Sequence, residues 1–322
     1  MRFAIRLPAA ALVSFCLAIS LPAAAAEMPC LTARLIVPWG SGSGTDLIFR
    51  ALADAANRGG AKPRLEVVNL SGEEGVRGTE TAARARPDGC TVLAVHQSLM
   101  TSFIAGTSKL NWNTLTSVAR LTRTPVVVAA GSKAAFKTMP ELLEAARGPE
   151  GVKAGSTEGL ASHFLFLLIA DRTGAAFNQV FLGGTRERLN ALLDGTIDVT
   201  ELNQAIARRL TAEGPVRVLA VTSAGRLVDM PDVPTLREQG IDLVFTIDRG
   251  VMLPKGAKPE VVEHYSKLFE AALGDPRVTA LLHEHGTVEG YLGPKAYAGY
   301  WQDNFAEWRR VAKDAGLYKP ND

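Results

Sequence analysis

Residues 38–46 form the segment of this sequence that is best suited to bind an anion. They read Pro-Trp-Gly-Ser-Gly-Ser-Gly-Thr-Asp and lie between an apolar, strand-like run and a helical pattern. Three glycines in five residues let the backbone approach a ligand closely and turn its N–H groups toward it. Thr45 or Asp46 can cap the following helix, whose first N–H groups and dipole favour a carboxylate or a phosphate. A plain tight turn has the same composition, so these residues alone support an anion site and a turn equally.

Two further loops place glycines and hydroxyl groups directly before predicted helices. Residues 155–162 read Gly-Ser-Thr-Glu-Gly-Leu-Ala-Ser, and residues 183–185 read Gly-Gly-Thr. Arg186 and Arg188 lie just inside the helix that follows residues 183–185, where an arginine can bind a carboxylate through two parallel hydrogen bonds. An arginine at such a position more often faces solvent. The loops therefore predict additional anion-binding helix starts, with simple solvent-facing turns as the alternative.

Other binding chemistries fit these motifs poorly. A P-loop needs Lys and then Ser or Thr after its last glycine, but here Thr45 and Asp46 follow. A dinucleotide fingerprint needs a Gly-x-Gly-x-x-Gly spacing and an acid after the second strand, whereas that strand ends at Asn69. His283 and His285 are two residues apart on a predicted helix, so they point apart and cannot share a metal. We therefore expect neither a metal nor a cofactor.

One hydrolase motif is nearly present. Residues 155–159 read Gly-Ser-Thr-Glu-Gly, one substitution from the Gly-x-Ser-x-Gly nucleophile elbow of α/β hydrolases. Threonine fits that strained turn poorly, and no histidine or aspartate is visibly placed beside it. A secreted hydrolase acting through Thr157 is therefore a remote alternative.

The first 26 residues have the pattern of a cleaved signal peptide. Two arginines precede a mostly apolar run over residues 7–21, and three alanines follow at 24–26. The apolar run has about 15 residues, fewer than the ~20 that a membrane span needs. We expect cleavage near Ala26 and export to the periplasm.

Removal of the leader leaves a chain without net charge. The full chain has 35 Lys and Arg and 33 Asp and Glu. The leader holds Arg2 and Arg6 and no acid, so the mature chain would have 33 of each. No block rich in Lys and Arg stands out, which argues against a nucleic-acid partner. A lipid anchor on Cys16 is disfavoured, because Phe15 stands where lipoprotein processing needs a small residue.

Strand-like and helical patterns alternate along the remaining chain, which predicts an α/β architecture. The predicted strands cover residues 35–37, 65–68, 91–95, 125–130, 152–154, 179–181, 197–199, 216–222 and 250–253. The clearest predicted helices cover residues 46–57, 140–147, 160–172, 186–193, 203–212, 259–273, 276–284 and 294–315. The last helix carries five aromatic residues at helical spacing, which indicates a face packed into the core.

Two cysteines remain after cleavage. Cys30 lies shortly before the strand-like run at residues 33–38, and Cys90 lies immediately before the run at residues 91–95. In a doubly wound sheet the first and third strands are commonly parallel neighbours, so their first residues lie side by side. An oxidising compartment would then allow a disulfide between the two cysteines. Two unrelated buried thiols are the alternative.

Several motifs together resemble the solute-binding receptors of tripartite tricarboxylate transporters, the Bug-type periplasmic binding proteins. They occur in the family's order over essentially the whole mature chain. The resembling segments are Leu35-Ile-Val-Pro-Trp39 with the glycine loop to Asp46, residues 69–78, Ala85-Arg-Pro-Asp-Gly-Cys-Thr-Val-Leu93, Val218-Leu-Ala-Val-Thr-Ser223, Met230-Pro-Asp-Val-Pro-Thr235 and Glu238-x-Gly240.

The resemblance implies a type II periplasmic-binding-protein fold with two lobes, each a doubly wound mixed sheet flanked by helices, and a ligand cleft between them. Lobe 1 would comprise residues 27–130 and 249–322, and lobe 2 residues 131–248. Residues 129–131 and 248–251 would form the hinge. The family binds a ligand carboxylate with backbone N–H groups and hydroxyls of the opening loop and its lobe 2 counterpart. By match these loops are residues 41–45 and 156–162.

The candidate ligand-binding set follows from these loops and from departures from the family pattern. An acid stands at Glu158, the family's lysine before residues 183–184 is lost, and Glu201 and Arg249 occupy unusual positions. We hypothesise that Arg249 meets a second carboxylate or polar tail, and that Glu158 or Glu201 recognises a hydrogen-bond donor. The full set is Trp39, Ser41, Gly42, Ser43, Gly44, Thr45, Ser98, Ser156, Thr157, Glu158, Gly159, Ala161, Ser162, Gly184, Thr185, Glu201, Asn203 and Arg249.

The implied function is a periplasmic receptor that captures a small carboxylate and delivers it to the membrane permease of a tripartite transporter. The ligand could be a dicarboxylate, a tricarboxylate, an aromatic acid or an amino acid. The receptor would catalyse nothing and would act as a monomer. A periplasmic sensor subunit for a two-component kinase is the alternative from another functional class.

Overall fold

The computed structural model describes residues 28–319, so the predicted signal peptide and its cleavage site lie outside the described residues. The strands are β1 Thr32–Val37, β2 Arg64–Asn69, β3 Thr91–Val95, β4 Leu115–Gly131, β5 Val152–Ser156, β6 Phe177–Phe181, β7 Val199–Asn203, β8 Val216–Val221, β9 Thr246–Pro254 and β10 Val288–Leu292. The α-helices are α1 Gly44–Arg58, α2 Val76–Ala83, α3 Ser98–Ile104, α4 Met139–Arg147, α5 Ala161–Thr173, α6 Thr185–Asp194, α7 Gln204–Glu213, α8 Pro259–Leu273, α9 Pro276–Glu284 and α10 Pro294–Asp314.

The strands form two mixed sections of sheet that share the long strand β4. In the first section the order is β2-β1-β3-β9-β4, with β10 also paired to β4. In the second section β4 pairs with β7 and β8, and β5 and β6 continue beyond β7. Strands β1, β2 and β3 run parallel, as do β5, β6 and β7. The predicted α/β architecture with mixed sheets and flanking helices is confirmed.

Strand β4 changes partners between Pro125 and Val126. Pro125 pairs with Thr246 of β9, whereas Val126 pairs with Asn203 of β7. This crossing lies a few residues before the predicted hinge segment 129–131. On β9 it lies at Thr246, just before the predicted segment 248–251.

The first half of β4 was not predicted as a strand because charged residues interrupt its apolar pattern. Arg120 and Arg123 both pair with the buried carboxylate of Asp248 on β9, at 3.3 Å and 3.1 Å. The Thr246 hydroxyl donates a further hydrogen bond of 2.5 Å to the same carboxylate. Burial of charge is tolerated when the charge is paired and hydrogen-bonded. The strand is therefore polar in sequence and buried in structure.

Other element boundaries also differ from the predictions. Strand β7 covers residues 199–203 instead of 197–199, because its polar side chains find buried partners, such as the Gly155 carbonyl for the Thr200 hydroxyl at 2.7 Å. Helix α3 and strand β10 had no predicted counterpart, and both are short. No helix between residues 28 and 319 is long and apolar enough to cross a membrane.

The predicted disulfide is present between Cys30 and Cys90. The Cα atoms of the two cysteines are 6.0 Å apart. The cysteines meet because β1 and β3 are parallel neighbours, with Arg34 opposite Thr91. The backbone N–H of Arg34 also donates to the Cys90 carbonyl at 3.0 Å. The neighbouring strands therefore bring the two thiols together, as predicted.

Helix α10 packs its aromatic face into the core, as its spacing predicted. Tyr297, Trp301 and Trp308 are buried on that face. Trp308 stacks on Phe164 of α5, with ring centroids 4.9 Å apart. A bidentate ion pair from Arg310 also joins α10 to α5. The C-terminal helix thus packs on α5, which flanks the second section of sheet, as well as on β4 and β10.

Candidate functional site

The predicted binding loops lie where parallel strands end. Residues 38–43 follow β1 and residues 96–97 follow β3, at the carboxyl edge of the first section. Residues 157–160 follow β5 and residues 182–184 follow β6, at the carboxyl edge of the second. Ligands of open α/β sheets bind at such edges. The fold therefore gathers the predicted loops into two groups, one for each section of sheet.

A cavity of about 440 Å³ separates the two sections on this side of the molecule. Ser102, Ala105 and Thr107 contribute one wall, together with Glu73. Residues 158–160 contribute the opposite wall. The two walls come close together at one point, since a methyl group added to Gly159 would lie 2.9 Å from the Ala105 side chain. The second loop thus faces the first section directly, and residues 41–45 lie outside the wall of this cavity.

A buried carboxylate fixes the first loop. Asp46 is fully buried and accepts hydrogen bonds from the Gly42 N–H at 2.8 Å, from Arg50 at 3.0 Å and from the Asn69 amide at 2.7 Å. Burial alone would raise the pKa of Asp46, but the hydrogen bonds from Arg50, Asn69 and Gly42 together lower it below its ordinary value. The loop conformation therefore depends on a charged carboxylate, a role beyond the helix cap that the sequence predicts for Asp46.

The cap of α1 differs from the prediction. The helix begins at Gly44, so both predicted caps, Thr45 and Asp46, lie inside its first turn. Ser43 is the N-cap residue, and its hydroxyl accepts from the Asp46 N–H at 3.3 Å. The prediction was wrong because the extended backbone of Ser43 lets the first turn start within the glycine loop.

Two backbone donors at the start of α1 have no partner. Among residues 28–319, no acceptor is found for the N–H groups of Gly44 and Thr45. Orphan N–H groups of a first helical turn, with the dipole of a 15-residue helix behind them, form a favourable site for an anion. The arrangement agrees with the anion-binding interpretation of the first loop.

Arg249 lies beside the same loop. Its Nε donates to the Thr45 hydroxyl at 3.0 Å, and its Nη1 donates to the Thr124 hydroxyl at 2.5 Å. No carboxylate within residues 28–319 comes within 4.0 Å of its guanidinium group. Burial lowers the pKa of Arg249 to about 10, against the opposing effect of nearby Asp248, so the group stays charged at neutral pH. A cation without a carboxylate partner therefore adjoins the free N–H groups.

An aromatic pair forms another side of this region. Trp39 stacks on His96 with ring centroids 3.9 Å apart and an angle of 15° between the planes. The Ser98 N–H donates to His96 Nδ1 at 3.1 Å, which leaves the ring proton on Nε2. Burial, aided by the charge of Arg249, lowers the pKa of His96 to about 3. His96 is thus a neutral ring at physiological pH.

The second loop is held by its own backbone. The Thr157 N–H donates to the Ser162 hydroxyl at 3.0 Å, and the Gly159 N–H donates to His163 at 3.2 Å. Gly159 has a φ of +69°, a conformation that favours glycine. The N–H groups of Ala161 and Ser162, which open α5, have no acceptor in the described part of the chain. The second loop thus presents a helix start like that of the first.

A buried ion pair lies behind the second loop. Arg188 is 5% exposed, so it does not face solvent as arginines at helix starts usually do. It donates to Glu201 at 3.0 Å and to the Thr157 hydroxyl at 2.9 Å. Burial raises the pKa of Glu201, although the charge of Arg188 opposes that effect. No sequence pattern indicates this pairing, since the two residues belong to α6 and β7.

The other predicted site residues have local partners. The Ser156 hydroxyl donates to Gln179 at 2.8 Å, and Asn203 caps α7 by accepting from the Ala205 N–H at 2.8 Å. The Gly184 N–H is held by the Glu187 carboxylate. Thr185 is exposed and accepts from Arg188 at 3.4 Å. Ser41 is exposed at the tip of the first loop.

Comparison with known proteins agrees with this architecture. The family model described as "Tripartite tricarboxylate transporter family receptor" matches residues 48–317. BugT of Bordetella pertussis is 28% identical over 309 residues, which cover 92% of this chain and 93% of BugT.

Solved structures of related proteins have the same fold. A TctC solute-binding protein from Polaromonas, without ligand, is 28% identical with a TM-score of 0.76, covering 88% of this chain and 98% of its own. MatC from Rhodopseudomonas palustris with bound malate is 25% identical with a TM-score of 0.69, covering 87% and 98%. A second R. palustris protein, with adipate, is 25% identical with a TM-score of 0.74, covering 89% and 98%. The chain therefore belongs to the tripartite tricarboxylate transporter receptor family, a family of periplasmic solute-binding receptors.

Proposed function

We propose that this protein captures a small carboxylate in the periplasm and presents it to the membrane permease of a tripartite transporter. The observation that carries the proposal is the group of unmatched donors at the first loop. The free N–H groups of Gly44 and Thr45 lie beside Arg249, whose charge has no carboxylate partner among the described residues. A ligand carboxylate placed there would accept hydrogen bonds from both N–H groups and would pair with the charge of Arg249. Each hydrogen bond to the charged ligand would contribute about 1.5–3 kcal/mol.

The second loop would supply the other half of the site. Its free N–H groups at Ala161 and Ser162 and its position across the cavity support a cleft that closes on the ligand. We also propose that the chain divides into two lobes on either side of this cleft. The strand pairing supports crossing points near Pro125 and Thr246. The structural neighbours with malate and adipate support small aliphatic acids as the ligand class.

We further propose that the protein is not an enzyme. The Thr157 hydroxyl, the nucleophile of the hydrolase alternative, donates to the Gly183 carbonyl at 3.0 Å and accepts from Arg188. Its immediate neighbour is thus a cation, which cannot remove its proton. An esterase assay of the wild type and of Thr157→Ala should show no activity in either. Activity that disappears in the variant would contradict the proposal.

Export is the second part of the proposal. The signal-peptide pattern, the disulfide and the periplasmic location of the family's receptors support a mature, exported chain that begins at Glu27. We propose that this chain acts as a monomer. Intact-mass measurement of the protein from a periplasmic fraction should give the mass of residues 27–322 with one disulfide. A mass that includes the leader would contradict cleavage at Ala26.

The test of the binding function is a thermal-shift screen of small mono- and dicarboxylates, with the corresponding amides as uncharged controls. Binding to the folded state alone raises its stability by about 2.7 kcal/mol at a hundredfold excess over Kd. We expect acids to stabilise the protein and their fully amidated counterparts to have no effect. A screen in which no carboxylate raises the melting temperature would contradict the function.

The same acid then tests Arg249. We expect Arg249→Gln to weaken its binding by about 10- to 150-fold, the loss of one charge-assisted hydrogen bond. Arg237→Gln is the matched control, because Arg237 forms an exposed ion pair with Asp242. If the Arg249 variant bound as tightly as the wild type, Arg249 would have no part in the site.

A further inference from the structure

Burial of the ion pair behind the second loop costs desolvation free energy, and no gain in folding stability accounts for it. The side chains of Arg188 and Glu201 are only 7% and 13% exposed. Burying two charges removes them from water, and apolar residues of similar volume are often as stable. Arg188 is not even fully satisfied, since its buried Nε has no hydrogen-bond partner in the described structure. Because stability does not account for the pair, its position points to a role in ligand binding.

The pair is connected directly to the predicted ligand loop. Arg188 donates to the Thr157 hydroxyl, and that hydroxyl donates to the Gly183 carbonyl. The residues thus join the loop after β5 to the loop after β6. Glu201 lies near the carboxyl end of β7, which runs parallel to β5 and ends at the same edge. Both charges accordingly lie close to the half of the site that the second loop provides.

The two halves of the site differ in charge. In the first half, Asp46 and Arg50 neutralise each other, and Asp248 neutralises only one of Arg120 and Arg123. Arg249 adds a positive charge and Glu73 in the cavity wall a negative one, so one net positive charge remains. At the second loop, Glu201 neutralises Arg188, and exposed Glu158 adds a negative charge. Arg186 and Glu187, both exposed on the first turn of α6, carry opposite charges. One half therefore attracts a carboxylate, and the other half does not.

We propose that Glu201, by neutralising Arg188 behind Thr157, makes this receptor select acids with a single carboxylate and a neutral polar far end over dicarboxylates of the same length. Glu201 accepts from Arg188 at 3.0 Å, so the charge of Arg188 is balanced within the protein and does not attract a second ligand carboxylate. A second carboxylate would meet the charges of Glu201 and Glu158, whereas an amide can form hydrogen bonds without adding charge. The inference rests on the proposed carboxylate-binding function and narrows its ligand class.

Titration calorimetry with matched pairs tests the inference. The pairs are succinate and succinamate, glutarate and glutaramate, and adipate and adipamate, in which one carboxylate is replaced by an amide of nearly the same shape. At the chain length that binds best, we expect the wild type to bind the monoamide at least tenfold more tightly than the dicarboxylate. This ratio needs no variant. Equal binding, or tighter binding of the dicarboxylate, would overturn the inference.

Glu201→Gln tests the residue itself. Removing its charge leaves Arg188 free for a second carboxylate, so we expect the preference for the monoamide to fall at least tenfold. Glu213→Gln is the matched control, since Glu213 forms an exposed ion pair with Arg209 on α7, and should leave the ratio unchanged. A folded Glu201→Gln protein with the wild-type ratio would overturn the assignment. If the wild type bound none of the six compounds, the selectivity inference would also be overturned. The receptor function would still be supported if another carboxylate from the thermal-shift screen bound.

Discussion

The carboxylate of Asp46 offers the sharpest test of how the first loop is held. Asp46→Asn keeps the shape of the side chain but replaces one acceptor oxygen by an NH₂ group. One oxygen of Asp46 accepts from Gly42 and Arg50, and the other accepts from the Asn69 amide. In either orientation, the new NH₂ group would face a donor. Asn69 cannot simply flip, because its own amide also donates to the Trp39 carbonyl and its oxygen accepts from Arg50.

The expected cost follows from the bonds that are lost. At least one hydrogen bond to a charged group disappears, and the others lose the charge that strengthens them. At about 1.5–3 kcal/mol for each such bond, we expect a loss of about 3 kcal/mol of unfolding free energy. For a chain of this size that corresponds to a fall of roughly 6 °C in melting temperature. The loop should also hold its N–H groups less firmly, so carboxylate affinity should fall as well.

Calorimetric melting and ligand titration of the same variant measure both effects. Asp54→Asn is the matched control, because Asp54 is exposed on the same helix. It should change neither the melting temperature nor the affinity. An Asp46→Asn protein with wild-type melting temperature and wild-type affinity would refute the claim that this carboxylate positions the first loop.

Two further predictions concern stability. His96 has a pKa of about 3 in the folded state and an ordinary pKa of about 6.5 when unfolded, so the unfolded state alone takes up its proton as pH falls below about 6.5. Between pH 6.5 and 4.5 the unfolding free energy of the wild type, measured in urea, should therefore fall by about 2–3 kcal/mol relative to that of His96→Gln. If the difference between the two proteins were the same at both pH values, the desolvation of His96 would be contradicted. The disulfide links residues 60 apart, so replacing both cysteines by serine should cost about 4 kcal/mol and lower the melting temperature by about 8 °C, whereas an unchanged melting temperature would show that the link contributes nothing.

The features that the sequence predicted are those that depend on neighbouring residues or on a general rule of sheet topology. The glycine loop before α1 was visible because its composition lies within nine consecutive residues. The disulfide followed from the rule that the first and third strands of a doubly wound sheet are neighbours. The aromatic face of α10 followed from helical spacing alone.

The features that were missed depend on pairs of residues that are distant in the chain. The first half of β4 is a buried strand only because Asp248, more than a hundred residues later, pairs with its arginines. Arg188 is buried only because Glu201 emerges from the neighbouring strand. His96 is neutral because it is desolvated where it stacks on Trp39 and because it lies near Arg249. A single sequence contains no signal for such contacts, since each partner alone resembles an ordinary surface residue.

The central claim is that the first N–H groups of α1 hold a ligand carboxylate and that the first N–H groups of α5 hold the far end of the same ligand. The most direct measurement is the ¹⁵N–¹H spectrum of the selectively labelled protein, with and without the acid that binds best in the thermal-shift screen. We predict that the amide protons of Gly44 and Thr45 move downfield as the acid saturates the protein, because each gains a charged acceptor. The amide signals of Ala161 and Ser162 should shift as well, because these groups meet the polar far end of the ligand. Saturation that leaves these four signals in place would contradict the account.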